Sequence, residues 1–373
     1  MDNFSKEEVE VVVVGACPSS IVVSTYCCAY LWKKKTYDRL QLHLSKDFCS
    51  LPFMPQATSS PKYLSKNEFI QYLDGYVEHF KIKPKFQTCV ELAFYNNDEK
   101  KWNVKSRHVT SGEMEWYACD FLILATGENN GGYIPKVVGI DNFNGEIIHS
   151  SDYKFSEKYK DKKVLVVGSR NYGMEIVFDL SNYGCHTSIV IRSPVSFSIS
   201  LYLVFTFIFF VFLHVNLPLS LVDIVIAKFA KFNFGNLAEF GIPQSEKGPC
   251  YVKISKGTSP VIDVGAIGKI KLEKIKVLLG MSEIKEHKVV FENGKEHQFD
   301  GHFCYWIQKC CYQMAKAISI FIDDGTLMNE FPNHWKGENR LYCAGFSKRG
   351  LAGISMDPIT IVDDIKTVKG DKI

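Results

Sequence analysis

Two stretches of the chain pair an apolar strand with a glycine-containing turn. That is the arrangement in which backbone amides and a helix N-terminus can hold a pyrophosphate. The first is Val11–Val14 followed by Gly15-Ala16-Cys17-Pro18-Ser19-Ser20, and the second is KKVLVVGSRNYGMEIVFDLSNYG. Such a turn uses glycine at three points: for the tight turn, for close approach of backbone to phosphate, and for packing of helix on strand. The first stretch keeps Gly15 and has Cys17 and Ser20 at the other two points. A side chain at position 17 intrudes where the pyrophosphate would sit, so GACPSS taken alone is a weak signal. The second keeps Gly168 and Gly173 but carries Arg170 at the close-approach point. Its guanidinium can pair with a phosphate, while its Cβ crowds the backbone.

These turns need elements to position them. The second stretch continues into HTSIVIRS and so reads as strand, turn, helix and strand, a βαβ unit. Its recurrence after the first strand-and-turn implies two nucleotide-binding domains, the second inserted within the first. Lys66–Lys81 places Phe69, Tyr72, Leu73, Tyr76, Val77 and Phe80 at helical spacing. Residues 86–117 alternate as an antiparallel β-meander, Phe121–Gly127 reads as a separate apolar strand, and 251–300 as a second meander around Glu292-Asn293-Gly294. The expected class is α/β, with two Rossmann-like dinucleotide-binding domains and a β-meander. The expected boundaries are 1–150 for the outer domain, 151–300 for the inserted one, and 301–373 for the return to the outer domain.

Composition bounds the alternatives. With 46% apolar and 23% charged residues and a net charge of +3, the 373-residue chain lacks the concentrated basic patch of a nucleic-acid binder. Twelve cysteines fall irregularly and include no C-x-x-C, so neither a zinc site nor a redox dithiol is supported. They read as reduced, mostly buried thiols of a cytoplasmic protein. One segment stands apart: Ser193–Val222 holds no Asp, Glu, Lys or Arg, and Phe197–Leu213 is almost wholly apolar. It reads either as a membrane span, which would place the protein at the endoplasmic reticulum membrane, or as a buried insert bracketed by Pro194 and Pro218.

LWKKKTYDRLQLHL, ATGENN, FNGEIIHSSDYK, FPNHWKGEN and GFSKRGLAGISMD, in that order, resemble the plant YUCCA flavin monooxygenases. Phe143, Gly145, His149 and Tyr153 also fit the F-x-G-x3-H-x3-[YF] signature of flavin and Baeyer–Villiger monooxygenases. The resemblance implies FAD in the outer domain, NADPH in the inner one, and transfer of one oxygen atom from O2 to a small molecule. For YUCCA enzymes that molecule is indole-3-pyruvate, converted to the auxin indole-3-acetate. By position, Gly15, Pro18 and Ser19 match the FAD turn, and Leu31, Trp32 and His43 the loop beside the flavin. Gly168, Asn171 and Gly173 match the NADPH turn, with Arg192 placed to meet a 2′-phosphate. Thr126, Gly127 and Asn129 match the inter-domain motif near the meeting point of nicotinamide and flavin. Asn129 and His43 are the catalytic candidates. Each has a plainer reading: Trp32 as core, His43 and His149 as ordinary hydrogen-bonded histidines, Arg192 as a solvated strand end, Gly127 as a permissive linker.

The chain departs from the family pattern in both glycine turns and in two further places. Only residues 21–30 separate the first turn from Leu31, where the family carries a helix, a second strand and a ribose-binding acid. Gly301–Asp324 replaces a strand that would end in alanine-threonine-glycine. Abrupt replacement between matched flanks points to altered splicing or a misdrawn exon rather than gradual divergence. These losses leave a second expectation open, a relative with impaired cofactor binding. If the missing glycines are the main defect, Cys17→Gly with Ser20→Gly raises FAD retention after gel filtration; an unchanged flavin content places the defect in the shortened segment instead.

Overall fold

The computed structural model describes residues 6–15, 30–127, 131–132, 134–198, 218–256, 259–300, 303–305, 308–309, 327, 329, 332–347 and 351–370. The chain forms two compact units. Residues 1–35, 45–131 and 308–373 make the first, and residues 36–44 and 132–307 the second. The compact units divide at 131/132. Residues 36–44 form an excursion into the second unit that the sequence gives no sign of.

The first unit is built on one long strand. Met114–Leu124 pairs in parallel with Lys6–Val14 along one edge, from Lys6 opposite Trp116 to Val14 opposite Leu124. Its other edge is shared: Lys101–His108 runs antiparallel to the first part and Leu341–Cys343 parallel to the last. Thr88–Asn96 pairs with Lys101–His108 and completes the expected meander. The segment expected as a separate strand from Phe121 is the second half of this strand, where alternating residues give way to Phe121-Leu122-Ile123-Leu124, all buried. A strand covered on both faces has no polar side to alternate with. Val14, Leu122, Leu124 and Cys343 pack on one face, and Val13, Phe121, Ile123 and Tyr342 on the other, the latter against Ile361 of the helix Leu351–Lys369. Among the described residues no strand pairs with the remaining edge of Lys6–Val14, where a doubly wound sheet carries its second strand.

The helix Lys66–His79 forms as expected. Ser65 Oγ accepts the N–H of Glu68 while Glu68 Oε2 accepts the N–H of Ser65, a reciprocal cap. Phe69, Tyr72, Leu73 and Tyr76 are its buried stripe.

In the second unit a parallel sheet runs in the order Ile275–Leu278, His186–Val190, Lys163–Val167, Phe303–Tyr305, Ile147–His149. The replaced segment beginning at Gly301 thus still supplies a strand, with Phe303, Cys304 and Tyr305 opposite Leu165, Val166 and Val167. The second meander is confined to Met281–Ile284, Lys288–Phe291 and Glu296–Gln298. Ahead of it stand two short helices, Pro249–Lys256 and Ala266–Lys271, where strand was expected. Side-chain caps decide the matter: the Asp223 carboxylate accepts the N–H groups of Cys250 and Tyr251, and Asp263 that of Ile267.

Phe197–Ser198, at the start of the apolar run, pairs with Val261–Ile262, and Phe197 is buried there. Residues 199–217 lie outside the described ones. Among the described residues no helix is long and apolar enough to cross a membrane. Cys89, Cys119, Cys185 and Cys250 are free, and burial pushes Cys49, Cys119 and Cys250 up to about 12, so they remain thiols.

Gly139 and Gly184 both have positive φ, +78° and +79°. A Cβ on Gly139 would lie 1.9 Å from the Ile284 carbonyl oxygen, whereas Gly184 has nothing within 4 Å. Gly184→Ala should cost about 1–2 kcal/mol of unfolding free energy, the backbone penalty alone. Gly139→Ala should cost about 1–3 kcal/mol more, as a steric overlap adds to it. Equal losses in urea denaturation would remove the close approach of these two segments.

Candidate functional site

In the second unit the strand Lys163–Val167 ends at Gly168, whose N–H donates to Val190 O at 3.1 Å and whose φ is +113°. The helix Asn171–Asn182 follows, with Arg170 as an extended N-cap whose side chain makes no capping bond. Two residues into the helix, a Cβ on Gly173 would lie 2.0 Å from Gly168 O. Only glycine lets this helix start so close to the turn, so two of the three glycine roles survive in the fold as well as in the sequence. At the close-approach point the exposed Arg170 stands at the helix N-terminus. The amides and positive end of the helix, joined by a guanidinium, suit a phosphate. Asn171 Oδ1 accepts the N–H of Ile262 at 2.8 Å, tying the start of the helix to Val261–Ile262. Arg192 is exposed just beyond the strand His186–Val190.

The buried face of that helix carries two carboxylates one turn apart, Glu175 and Asp179. Glu175 accepts a hydrogen bond from the Tyr37 hydroxyl, and His43 Nε2 lies 2.6 Å from its Oε1. Asp179 accepts the Tyr153 hydroxyl at 2.6 Å and has Arg39 Nη1 at 3.4 Å. Burial, then the charge of Glu175, holds the Tyr37 phenol well above its ordinary range, so it keeps its proton and donates. His43, with the rest of residues 36–44, belongs to the second unit, where it neighbours Glu175. The monooxygenase signature finds a physical role in the same place. His149 Nδ1 accepts the N–H of Ser151 and shapes the turn that delivers Tyr153 to Asp179, and Phe143 packs against the Leu165 and Phe291 cluster.

In the first unit Gly15 ends the Lys6–Val14 strand with φ +148°, and a Cβ there would lie 2.1 Å from Ala125 O. The two strand ends therefore meet at Gly15 and Ala125, with Thr126 and the buried Gly127 (φ +76°) following. Pro18, Ser19 and Asn129 lie outside the described residues. Leu31 and Trp32 are partly buried in the short helix Tyr30–Lys34, and Trp32 packs edge-on against Phe69 at 4.7 Å, its plainer reading as core.

The fold joins the motifs FPNHWKGEN and GFSKRGLAGISMD, neither of which carries a candidate site residue. Buried His334 Nε2 lies 3.2 Å from Asp357 Oδ1, and Asp357 Oδ2 accepts the N–H of Gly345 at 2.9 Å. Gly345 has φ +84° and follows Ala344, whose N–H donates to Leu124 O. Asp357 thus pins the turn between the last strand and the C-terminal helix. The signal for it was present: an aspartate seven residues into an otherwise apolar helix start is a candidate for an inward bond. Among the described residues no cluster of His, Cys, Asp and Glu suits a metal ion.

The carboxylate clamp is open to a direct test. Tyr37→Phe leaves the Glu175 carboxylate short of a buried donor and should cost about 1–3 kcal/mol of stability. In a Glu175→Leu background the same change should cost far less, giving a coupling of about 1–3 kcal/mol in a double-mutant cycle. Additive effects would show that the bond carries no weight.

Comparison with known proteins places this geometry. The profile of a family described as flavin-binding monooxygenase-like matches residues 33–302. The probable indole-3-pyruvate monooxygenase YUCCA10 of Arabidopsis thaliana is 40% identical, over 97% of this chain and 98% of its own length. The indole-3-pyruvate monooxygenase YUCCA6 of the same plant is 38% identical, over 95% of this chain and 89% of its own. Among solved structures, a flavin-containing monooxygenase from Stenotrophomonas maltophilia shares the fold with a TM-score of 0.71 at 15% identity, covering 97% of this chain and 99% of that one. Cyclohexanone monooxygenase from Rhodococcus sp. Phi1, solved with NADP+, gives 0.72 at 16% identity, covering 99% and 86%. Turn, helix, signature and relatives agree: the chain belongs to the flavin-binding monooxygenase family, in its YUCCA branch.

Proposed function

We propose that the chain is an FAD- and NADPH-dependent monooxygenase acting on a small α-keto acid, with indole-3-pyruvate as the substrate its relatives' names support. In balance, indole-3-pyruvate, O2, NADPH and a proton give indole-3-acetate, CO2, NADP+ and water. The observation that carries the reading is the turn Gly168–Gly173, whose glycines hold a helix N-terminus against a strand end in the way a dinucleotide requires. Bound flavin would supply oxygen activation, and bound NADPH the reducing equivalents, leaving the protein to bind, orient and shield.

In this reading Gly168 and the first amides of the helix hold the NADPH pyrophosphate, with Arg170 as counter-charge and Arg192 for the 2′-phosphate. Gly15 holds the FAD turn, with Pro18 and Ser19 beside it, and Asp357 keeps the Gly345 turn in shape through its bond to the Gly345 N–H. Thr126, Gly127 and Asn129 are proposed to belong to the cofactor site. The assignment of residues 1–150 and 301–373 to FAD and of 151–300 to NADPH is part of the same proposal, trimmed at its edges by the compact units. A cytoplasmic location is in keeping with the free thiols. A second reading, a folded relative that binds FAD weakly, draws support from the open edge of Lys6–Val14 and the absence of a ribose-binding acid among the described residues after it.

Reconstitution with FAD separates the two. Flavin absorbance near about 450 nm retained through gel filtration supports the enzyme, and bleaching on anaerobic addition of NADPH tests the second turn by itself. Arg170→Gly should then change NADPH affinity while flavin content stays constant. No retained flavin sinks the monooxygenase reading for this chain.

A further inference from the structure

The helix Leu219–Phe234 buries Val222, Asp223 and Ile226, with Asp223 turned in to cap the helix Pro249–Lys256. Spacings of three and four put these on one stripe, the ordinary way for a helix to meet its core. The opposite side is also apolar. Phe229 and Phe232 are 61% and 87% exposed, and Leu221, Ile224 and Val225 between 40% and 49%. A helix that is hydrophobic all round is normally enclosed, and five large exposed side chains on one face mark a contact surface rather than scattered surface residues.

Charge selects the partner. Apart from the buried Asp223, the only charged residues of the helix are Lys228 and Lys231, both exposed, and the chain from Ser193 to Val222 holds no Asp, Glu, Lys or Arg. Neither lysine is ion-paired among the described residues. An antiparallel second copy would bring these lysines together with no acid on the face to offset them, which disfavours self-association. An anionic surface turns both into attraction. At sixteen residues with two lysines in its second half, the helix is too short and too charged to span a bilayer.

We propose that this face is a membrane-surface contact: the helix lies in the plane of an anionic bilayer, with Phe229 and Phe232 at the acyl boundary and Lys228 and Lys231 among the headgroup phosphates. The contact is independent of whether the chain turns over substrate, and it differs from a span through 197–213.

Co-sedimentation of the full chain with phosphatidylcholine–phosphatidylserine vesicles, and with phosphatidylcholine alone, tests it. Binding is expected to the mixed vesicles, to fall about tenfold or more in the Phe229→Ser/Phe232→Ser double variant, and to lose its preference for anionic lipid in Lys228→Gln/Lys231→Gln. The substituted residues are exposed, and circular dichroism checks that the fold is kept. Equal sedimentation of wild type and the phenylalanine variant overturns the proposal. So does a wild-type dimer that the same variant splits while neither protein binds vesicles, which assigns the face to a second copy.

Discussion

Two buried carboxylates on one helix hold the second unit's site together. A helix that starts against a strand end, as Asn171–Asn182 does, needs its far side anchored, or the close approach at Gly173 is lost. Glu175 and Asp179 supply the anchors. Neither is tolerable in a core without donors, so each enforces the position of what meets it: Tyr37 donates to Glu175, with His43 close by, and Tyr153 and Arg39 donate to Asp179. The monooxygenase signature and the conspicuous YDRLQLHL segment serve the same end, fixing the helix Asn171–Asn182 from behind.

Much of this fold was legible in the sequence because it rests on local rules. Valine runs make strands, Ser65 and Glu68 start a helix, and the spacing of Gly168 and Gly173 places a turn. The failures share a cause, which is long-range partnership. Residues 36–44 read as part of the first domain by order, but their hydroxyl, imidazole and guanidinium are spent on a helix more than a hundred positions away, and no periodicity records that. Residues 249–256 read as strand until Asp223 capped them from outside. The bond from Ile262 N–H to Asn171 Oδ1 likewise joins residues ninety-one positions apart, beyond what the motif records.

The departures from the family pattern are unequal in physical weight. The segment from Gly301 loses its motif but still provides Phe303–Tyr305 between two neighbours, so the second sheet stays continuous. In the first unit the edge beside Lys6–Val14, the strand that Gly15 ends, has no partner among the described residues.

The pairing of Leu341–Cys343 with Met114–Leu124 has a consequence for biosynthesis. The strand at the heart of the first unit leaves the ribosome roughly two hundred residues before the one that closes its sheet, a separation that slows native pairing. Throughout that interval Leu122 and Leu124, fully enclosed in the finished protein, lack part of their cover. The first unit closes only with residues 308–373, so it cannot be completed and sealed until the whole of the second has been translated. Such a protein folds late, and its yield in the cell depends on how well that apolar strand is sheltered while it waits.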